Sequence, residues 1–283
     1  MFSMNSLPYD IIRHIVTFIP IQSMRWSRAL TLQSIKNNKG LETVIIENCP
    51  PLDILKSLVG KRTQTLSICI TDKYIFQNLK VLNMPQLQTL KIFDYTESKK
   101  IFSLEPLRDL FSRVLHKSRY LSKPKPLPLK NLTLNYFYHV RSLEPLRGLC
   151  PSRELCSRAS PESSLESLSL NYFYEVDSIE PLREMRPKSL ILTHLSKVKS
   201  LKPLREMRPK NLTLEYFPEV KSFEPLRELC SGGTLNSGGT LENLTLDYFP
   251  NVYSLEPLQE FCSKVNQRFN SKKLILKNIS VNI

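Results

Sequence analysis

Four histidines, His14, His116, His139 and His194, are the residues best suited to general acid–base work or metal binding, and no two share a spacing that would make a ligand set. Neither His-x-x-His nor His-Glu-x-x-His occurs. The carboxylates recur instead of converging. Glu144, Glu180, Glu224 and Glu256 each precede a proline, and the first three stand three residues before Arg147, Arg183 and Arg227. An active site needs one convergent set, whereas a repeated Glu-x-x-Arg is an ordinary exposed ion pair. The chain is therefore expected to be non-enzymatic and to need no cofactor or metal.

The cysteines and glycines point the same way. Cys150, Cys230 and Cys262 occupy one place in a recurring phrase, which marks small buried side chains in a reducing compartment, and no Cys-x-x-Cys is present. A duplicated Ser-Gly-Gly-Thr-Leu near 231–240 lacks the Lys-Ser/Thr of a phosphate-binding loop and reads as a flexible insert.

The elements that position these residues come from repetition. Asn131-Leu-Thr-Leu-Asn-Tyr-Phe137 followed by Ser142-Leu-Glu-Pro-Leu-Arg147 returns in near-copies to the C-terminus. Taking the last aliphatic residue of each run as a marker gives Ile46, Ile68, Ile92, Leu134, Leu170, Leu192, Leu214, Leu246 and Leu276, among which an interval of 22 residues recurs and the other intervals are longer. Leu132 and Leu134 share the period of two of a strand with one buried face. Val140, Leu143, Leu146 and Leu149 follow at every third position, the spacing of a 3₁₀ or short helical stripe. One such strand–turn–helix unit cannot bury its own apolar face, so copies must stack, and the narrower strand side bends the stack into an arc.

These runs, beginning with Leu41-x-x-Val44-x-Ile46-x-x-Cys49, resemble leucine-rich repeats of the 22-residue kind. The resemblance implies an α/β solenoid over 41–283: about nine repeats with parallel concave strands and short 3₁₀ or α helices on the convex side. Inserts fall near 111–128, 151–164 and 231–240. The family's Asn or Cys at the turn is replaced by Phe137, Phe173, Leu195, Phe217 and Phe249, which predicts stacked apolar packing in place of a hydrogen-bonded ladder.

Polar strand positions are expected on the concave face: Asn131, Thr133, Asn135; Ser167, Ser169, Asn171; Asn211, Thr213, Glu215; Asn243, Thr245, Asp247. Beside them runs a column of Tyr136, Tyr172, His194, Tyr216 and Tyr248. Tyrosine offers area, few rotors and a polar tip, which suits recognition; the same rings equally suit covering the apolar edge. Asn135, Tyr136, Asn171, Tyr172, His194, Glu215, Tyr216, Asp247 and Tyr248 are the candidate partner-binding residues.

Net charge is +14 and uneven. Arg183, Arg186, Lys188, Lys197, Lys199, Lys202, Arg205, Arg208 and Lys210 face only Glu184 and Glu206 within that stretch. Such a patch solubilises a convex face or attracts nucleic acid or an acidic partner. The interleaved aromatics and known motifs of nucleic-acid modules are missing, which favours the former. No apolar run reaches the roughly 20 residues of a membrane span, and no signal-peptide pattern opens the chain, so an intracellular, cytoplasmic or nuclear protein is expected.

Residues 1–37 stand outside the repeat. Ser6 is a capping residue, Pro8 suits a first turn, and Ile11, Ile12, Ile15, Phe18 and Ile19 make a helical stripe ending at Pro20. Such a helical segment would cap the open end of a solenoid. Leu7-Pro8-x-Asp10-Ile11-Ile12-x-x-Ile15 also resembles the opening of an F-box, the motif that docks on a Skp-type adaptor of cullin-based ubiquitin ligases. By that resemblance Leu7, Pro8, Ile11, Ile12, Ile15 and Met24 contact the adaptor, and the repeats hold a target protein. A free-standing scaffold with a helical cap, and a basic solenoid binding nucleic acid or acidic partners, are the other readings.

Overall fold

A computed structural model describes residues 42–46, 51–96, 100–111, 129–149, 165–231, 241–259, 263 and 273–281. The segment 1–37, with Leu7, Pro8, Ile11, Ile12, Ile15 and Met24, lies outside the described residues, as does nearly all of each insert.

Among the described residues, nine strands form one parallel sheet in chain order: β1 Thr43–Ile46, β2 Thr65–Ile70, β3 Thr89–Asp94, β4 Asn131–Asn135, β5 Ser167–Asn171, β6 Ser189–Thr193, β7 Asn211–Glu215, β8 Asn243–Val252 and β9 Lys273–Val281. The register aligns Ile46, Ile68, Ile92, Leu134, Leu170, Leu192, Leu214, Leu246 and Leu276 in one row across the sheet. The fold is an α/β solenoid, a leucine-rich-repeat arc. Parallel strands require a crossover, and each unit supplies one through its helical side.

That side is a 3₁₀ turn at Glu180–Leu182 and Glu256–Leu258 and an α-helix at Leu52–Leu58, Lys73–Asn78, Leu204–Met207 and Glu224–Ser231. Pro at the second position occurs in both kinds, at Pro181 and at Pro225, because the donor it lacks would be unpaired in a first turn anyway. The repeated serine starts these turns: Ser142, Ser178, Ser200, Ser222 and Ser254 Oγ each accept the backbone N–H two residues on, at 3.0–3.3 Å. Substituting such a cap costs about 1 kcal/mol.

The core is continuous along the array. Leu132, Leu134, Val140, Leu143 and Leu146, and their counterparts through unit 7, are almost wholly buried, and in unit 8 only Leu255, the counterpart of Leu143, is partly buried. Each such side chain contributes roughly 1.5–3 kcal/mol on burial. Two departures from the sequence reading occur. Ser169, expected on the open strand face, is buried, and its hydroxyl accepts from Asn171 Nδ2 at 3.0 Å. Leu276, in the core row, is 39% exposed, because no further unit among the described residues covers β9.

Candidate partner-binding face

The outward-facing positions of the strands form rows across the sheet. Thr133, Ser169, Ile191, Thr213 and Thr245 make a middle row, and Asn135, Asn171, Thr193, Glu215 and Asp247 a row at the strand ends. Within the second row the chemistry divides. Asn171 Nδ2 donates to Asn135 Oδ1, and Thr193 Oγ1 donates to Asn171 Oδ1 at 3.0 Å, so three units share a closed hydrogen-bonded ladder. Glu215 and Asp247 are next in line, neighbours in register, and no ion pair among the described residues uses either one. Asp247 accepts from Asn278 Nδ2 at 2.8 Å. Lys277, opposite Asp247, makes no ion pair with it.

One residue further on stand the rings. Tyr136 and Tyr172 stack at 5.0 Å, Tyr172 and His194 at 4.3 Å, His194 and Tyr216 at 4.9 Å, Tyr216 and Tyr248 at 4.7 Å. The five candidate aromatic positions therefore form one stack, with the row of Asn135, Asn171, Glu215 and Asp247 alongside. Each of the five has positive φ, between 57° and 67°, a left-handed backbone that costs a non-glycine residue about 1–2 kcal/mol. The ladder still continues through them: the Tyr136, Tyr172, His194 and Tyr216 N–H groups donate to Asn171, Thr193, Glu215 and Asp247 carbonyls at 2.8–3.0 Å. The left-handed turn thus spends no hydrogen bond.

Sequence reasoning missed three rings. Counting from Ile92 places Tyr95 where Phe137 sits, in the inner column, yet its ring lies 5.3 Å from Tyr136 and extends the outer stack to unit 3. Nothing in the repeat pattern signals this shift; Asp94 takes the inner place, buried, its carboxylate accepting from Thr96 N and Oγ1 at 2.9 and 2.6 Å. Tyr138 and Tyr174 form a second short row, stacked at 5.3 Å and set edge-on to Tyr172. Their recurrence two residues past Tyr136 and Tyr172 was the available signal.

The electrostatics follow from crowding. Burial pushes the Asp94 carboxyl up, and its Thr96 hydrogen bonds and His139 oppose the shift. The Tyr95, Tyr138 and Tyr174 hydroxyls are raised by burial and by neighbouring tyrosines. Burial lowers the His194 imidazole against an opposing Glu215, and its Nδ1 has no hydrogen-bond partner among the described residues. Among the described residues, no group of three or more His, Cys, Asp or Glu is placed to hold a metal.

The basic stretch is distributed rather than gathered. Lys188 and Lys210 precede β6 and β7, Lys197 and Lys199 lie in the turn after β6, Lys202 and Arg208 flank Leu204–Met207, and Arg205 lies within it. Arg183 pairs with Glu180 and Glu206, Lys197 with Glu175 at 2.7 Å, Arg205 with Glu228 at 3.3 Å and Lys210 with Glu242 at 3.0 Å. Arg186, Lys188, Lys199, Lys202 and Arg208 have no ion pair among the described residues. No described helix is long and apolar enough to cross a membrane.

No protein-family profile matches the chain, and no curated protein matches it in sequence. Among solved structures it is similar to internalin C2 from Listeria monocytogenes, with a TM-score of 0.46 and 15% identity over 89% of this chain and 85% of that one. It is also similar to a second internalin of that organism, inlF, with a TM-score of 0.46 and 14% identity over 99% of this chain and 87% of the other.

Proposed function

We propose that this chain is a protein–protein interaction module without catalysis of its own, whose concave strand face and aromatic stack hold a partner. The carrying observation is the stack itself. Five consecutive units keep an aromatic ring in a strained left-handed conformation beside the polar row at the strand ends. Stacking of about 0.5–1.5 kcal/mol per pair offsets part of that strain, and the half-exposed rings offer area at little rotamer cost. Because the faces of the inner rings are taken by their neighbours, only edges are free, which disfavours nucleobases that need open faces.

In the fuller form of this reading the module is the substrate receptor of a Skp/cullin-type ubiquitin ligase. The F-box-like residues Leu7, Pro8, Ile11, Ile12, Ile15 and Met24 dock the adaptor, and the repeats bring a target close to the transferring enzyme, raising its effective concentration. What supports that link is the resemblance of the N-terminal segment. Binding of the full chain to a purified Skp-type adaptor tests it, with a Pro8→Ala/Ile12→Asp variant as control. Binding that the folded variant loses is the expected result; a folded wild-type chain that does not bind removes the ligase link. A steep loss of partner binding with salt, traced to Arg186, Lys188 or Lys202, would instead favour the basic solenoid.

A further inference from the structure

Although the basic stretch is spread over several elements, four of its cations meet where the chain enters β6 and β7. Met185-Arg186-Pro187-Lys188 and Met207-Arg208-Pro209-Lys210 are one phrase 22 residues apart, so consecutive units bring the two copies together. The Lys210 and Asn211 N–H groups both donate to the Lys188 carbonyl, at 2.9 and 3.0 Å. The two lysines therefore stand side by side, about 4.8 Å apart in the backbone. In each copy the methionine and the proline are buried, and the arginine and the lysine are exposed. The buried pair anchors the segment, and the cations are what it presents.

Neighbouring charges do not neutralise this edge. One residue before β4 to β8 stand Lys130, Glu166, Lys188, Lys210 and Glu242. The outer members pair off, Lys130 with Glu166 at 3.4 Å and Lys210 with Glu242 at 3.0 Å. Arg186, Lys188 and Arg208 have no ion pair among the described residues. Glu184 is the counterpart of Glu206, which pairs with Arg183 on the helical side. The adjoining inserts add no net charge: 150–164 holds Arg153 and Arg158 with Glu154 and Glu162, and 232–240 holds no charged residue. The fold does not require the lysines. Gln64 and Gln88 fill the same place ahead of β2 and β3, the Gln88 N–H donating to the Gln64 carbonyl at 2.7 Å, whereas like charges side by side repel.

We infer that this strand-entry edge of units 6 and 7 docks an acidic segment of a partner protein, whose Asp or Glu side chains pair with Arg186, Lys188 and Arg208. Charge complementarity sets the sign, and the arginine fork matches a carboxylate. The extent of the patch sets the class. A carboxylate-bearing pair bounds it on each side, so a nucleic-acid backbone following the edge would meet Glu166 or Glu242 within one unit. The rings on which bases could stack lie at the opposite ends of the same strands, with His194 about 20 Å along from Lys188. This second surface is separate from the concave face and the aromatic stack, and it stands whether or not those hold a partner.

Anisotropy of a labelled short Glu/Ser peptide titrated with the full chain tests this, with a single-stranded oligonucleotide of equal charge alongside. The expected result is binding of the acidic peptide that falls about tenfold or more in Arg186→Glu/Lys188→Glu, the lower end of what focused charge supplies. Lys199→Glu/Lys202→Glu, which removes the same charge elsewhere, should leave the affinity nearly unchanged. Arg186→Gln/Lys188→Gln, which places at 188 the amide of Gln64 and Gln88, should lose binding at an unchanged unfolding midpoint, so a loss of binding is not a loss of fold. Equal losses in the two reversal variants, or no binding of the acidic peptide, overturn the edge as a site. Tighter binding of the oligonucleotide, lost in Arg186→Glu/Lys188→Glu, overturns the acidic segment as its occupant.

Discussion

Two aromatic columns run through this solenoid one residue apart, and they obey different rules. The inner one, Phe137, Phe173, Phe217 and Phe249, is 0% exposed, and the outer one, Tyr136 to Tyr248, is half-buried with left-handed φ. Unit 6 separates their needs, because it carries His194-Leu195 where its neighbours carry Tyr-Phe. Leu195 remains fully buried, so the inner column takes a large aliphatic side chain in place of a ring. The outer stack passes through His194 at 4.3 and 4.9 Å, so there a flat ring is kept even when the residue type changes. The inner column fills space; the outer one preserves a surface.

The largest expected effect that would sharpen this contrast is in the inner column. Phe217→Ala removes a ring stacked 5.6 Å from Phe249 and should lower unfolding stability by about 3–5 kcal/mol in denaturant titration, while Phe217→Leu costs far less. Equal losses for Ala and Leu would mean that ring stacking, not volume, matters inside as well.

In the outer column the backbone decides the order. Tyr172→Ala loses two stacked neighbours and keeps the left-handed penalty, whereas Tyr172→Gly loses the stack but escapes the penalty. The glycine variant should therefore be the more stable of the two by about 1 kcal/mol, the reverse of their order in an ordinary strand. Thermal unfolding of the pair measures this, and an alanine variant as stable as the glycine one would show that the turn has relaxed.

The smallest effect is pH dependence at His194. Its folded-state value lies below the ordinary 6.5 because burial disfavours the imidazolium, with Glu215 opposing and Tyr172, Tyr174 and Tyr216 packed around it. The unfolded chain then binds more protons, so this contribution is complete above about 6.5 and is lost as pH falls toward the folded value. His194→Tyr should flatten the slope of stability against pH in that window. An unchanged slope would place it on other groups.

Much of the fold was legible because the repeat is self-consistent. All nine marker residues, from Ile46 to Leu276, fall in register, since a period of two within each strand and one unit length between strands leave no other alignment. The aromatic and polar rows at Asn135, Asn171, Glu215 and Asp247 followed from the same counting. Tyr95 did not: its turn departs from the repeat, and Asp94 takes the inner place that counting gives to the ring. Nor did the pairing of Arg183 with Glu206 or of Lys210 with Glu242, because spacing reports position along one unit and not which unit's side chain arrives opposite.

The sequence by itself determined the stacking of units, the buried row and the identity of the two columns, because each depends only on side-chain type at a fixed interval. Only the tertiary structure decided that the outer rings turn left-handed and cover one another, that Asn171 closes a ladder and that Glu215 and Asp247 stand outside it. Those outcomes depend on what the neighbouring unit brings to each atom, which a single unit's residues do not encode.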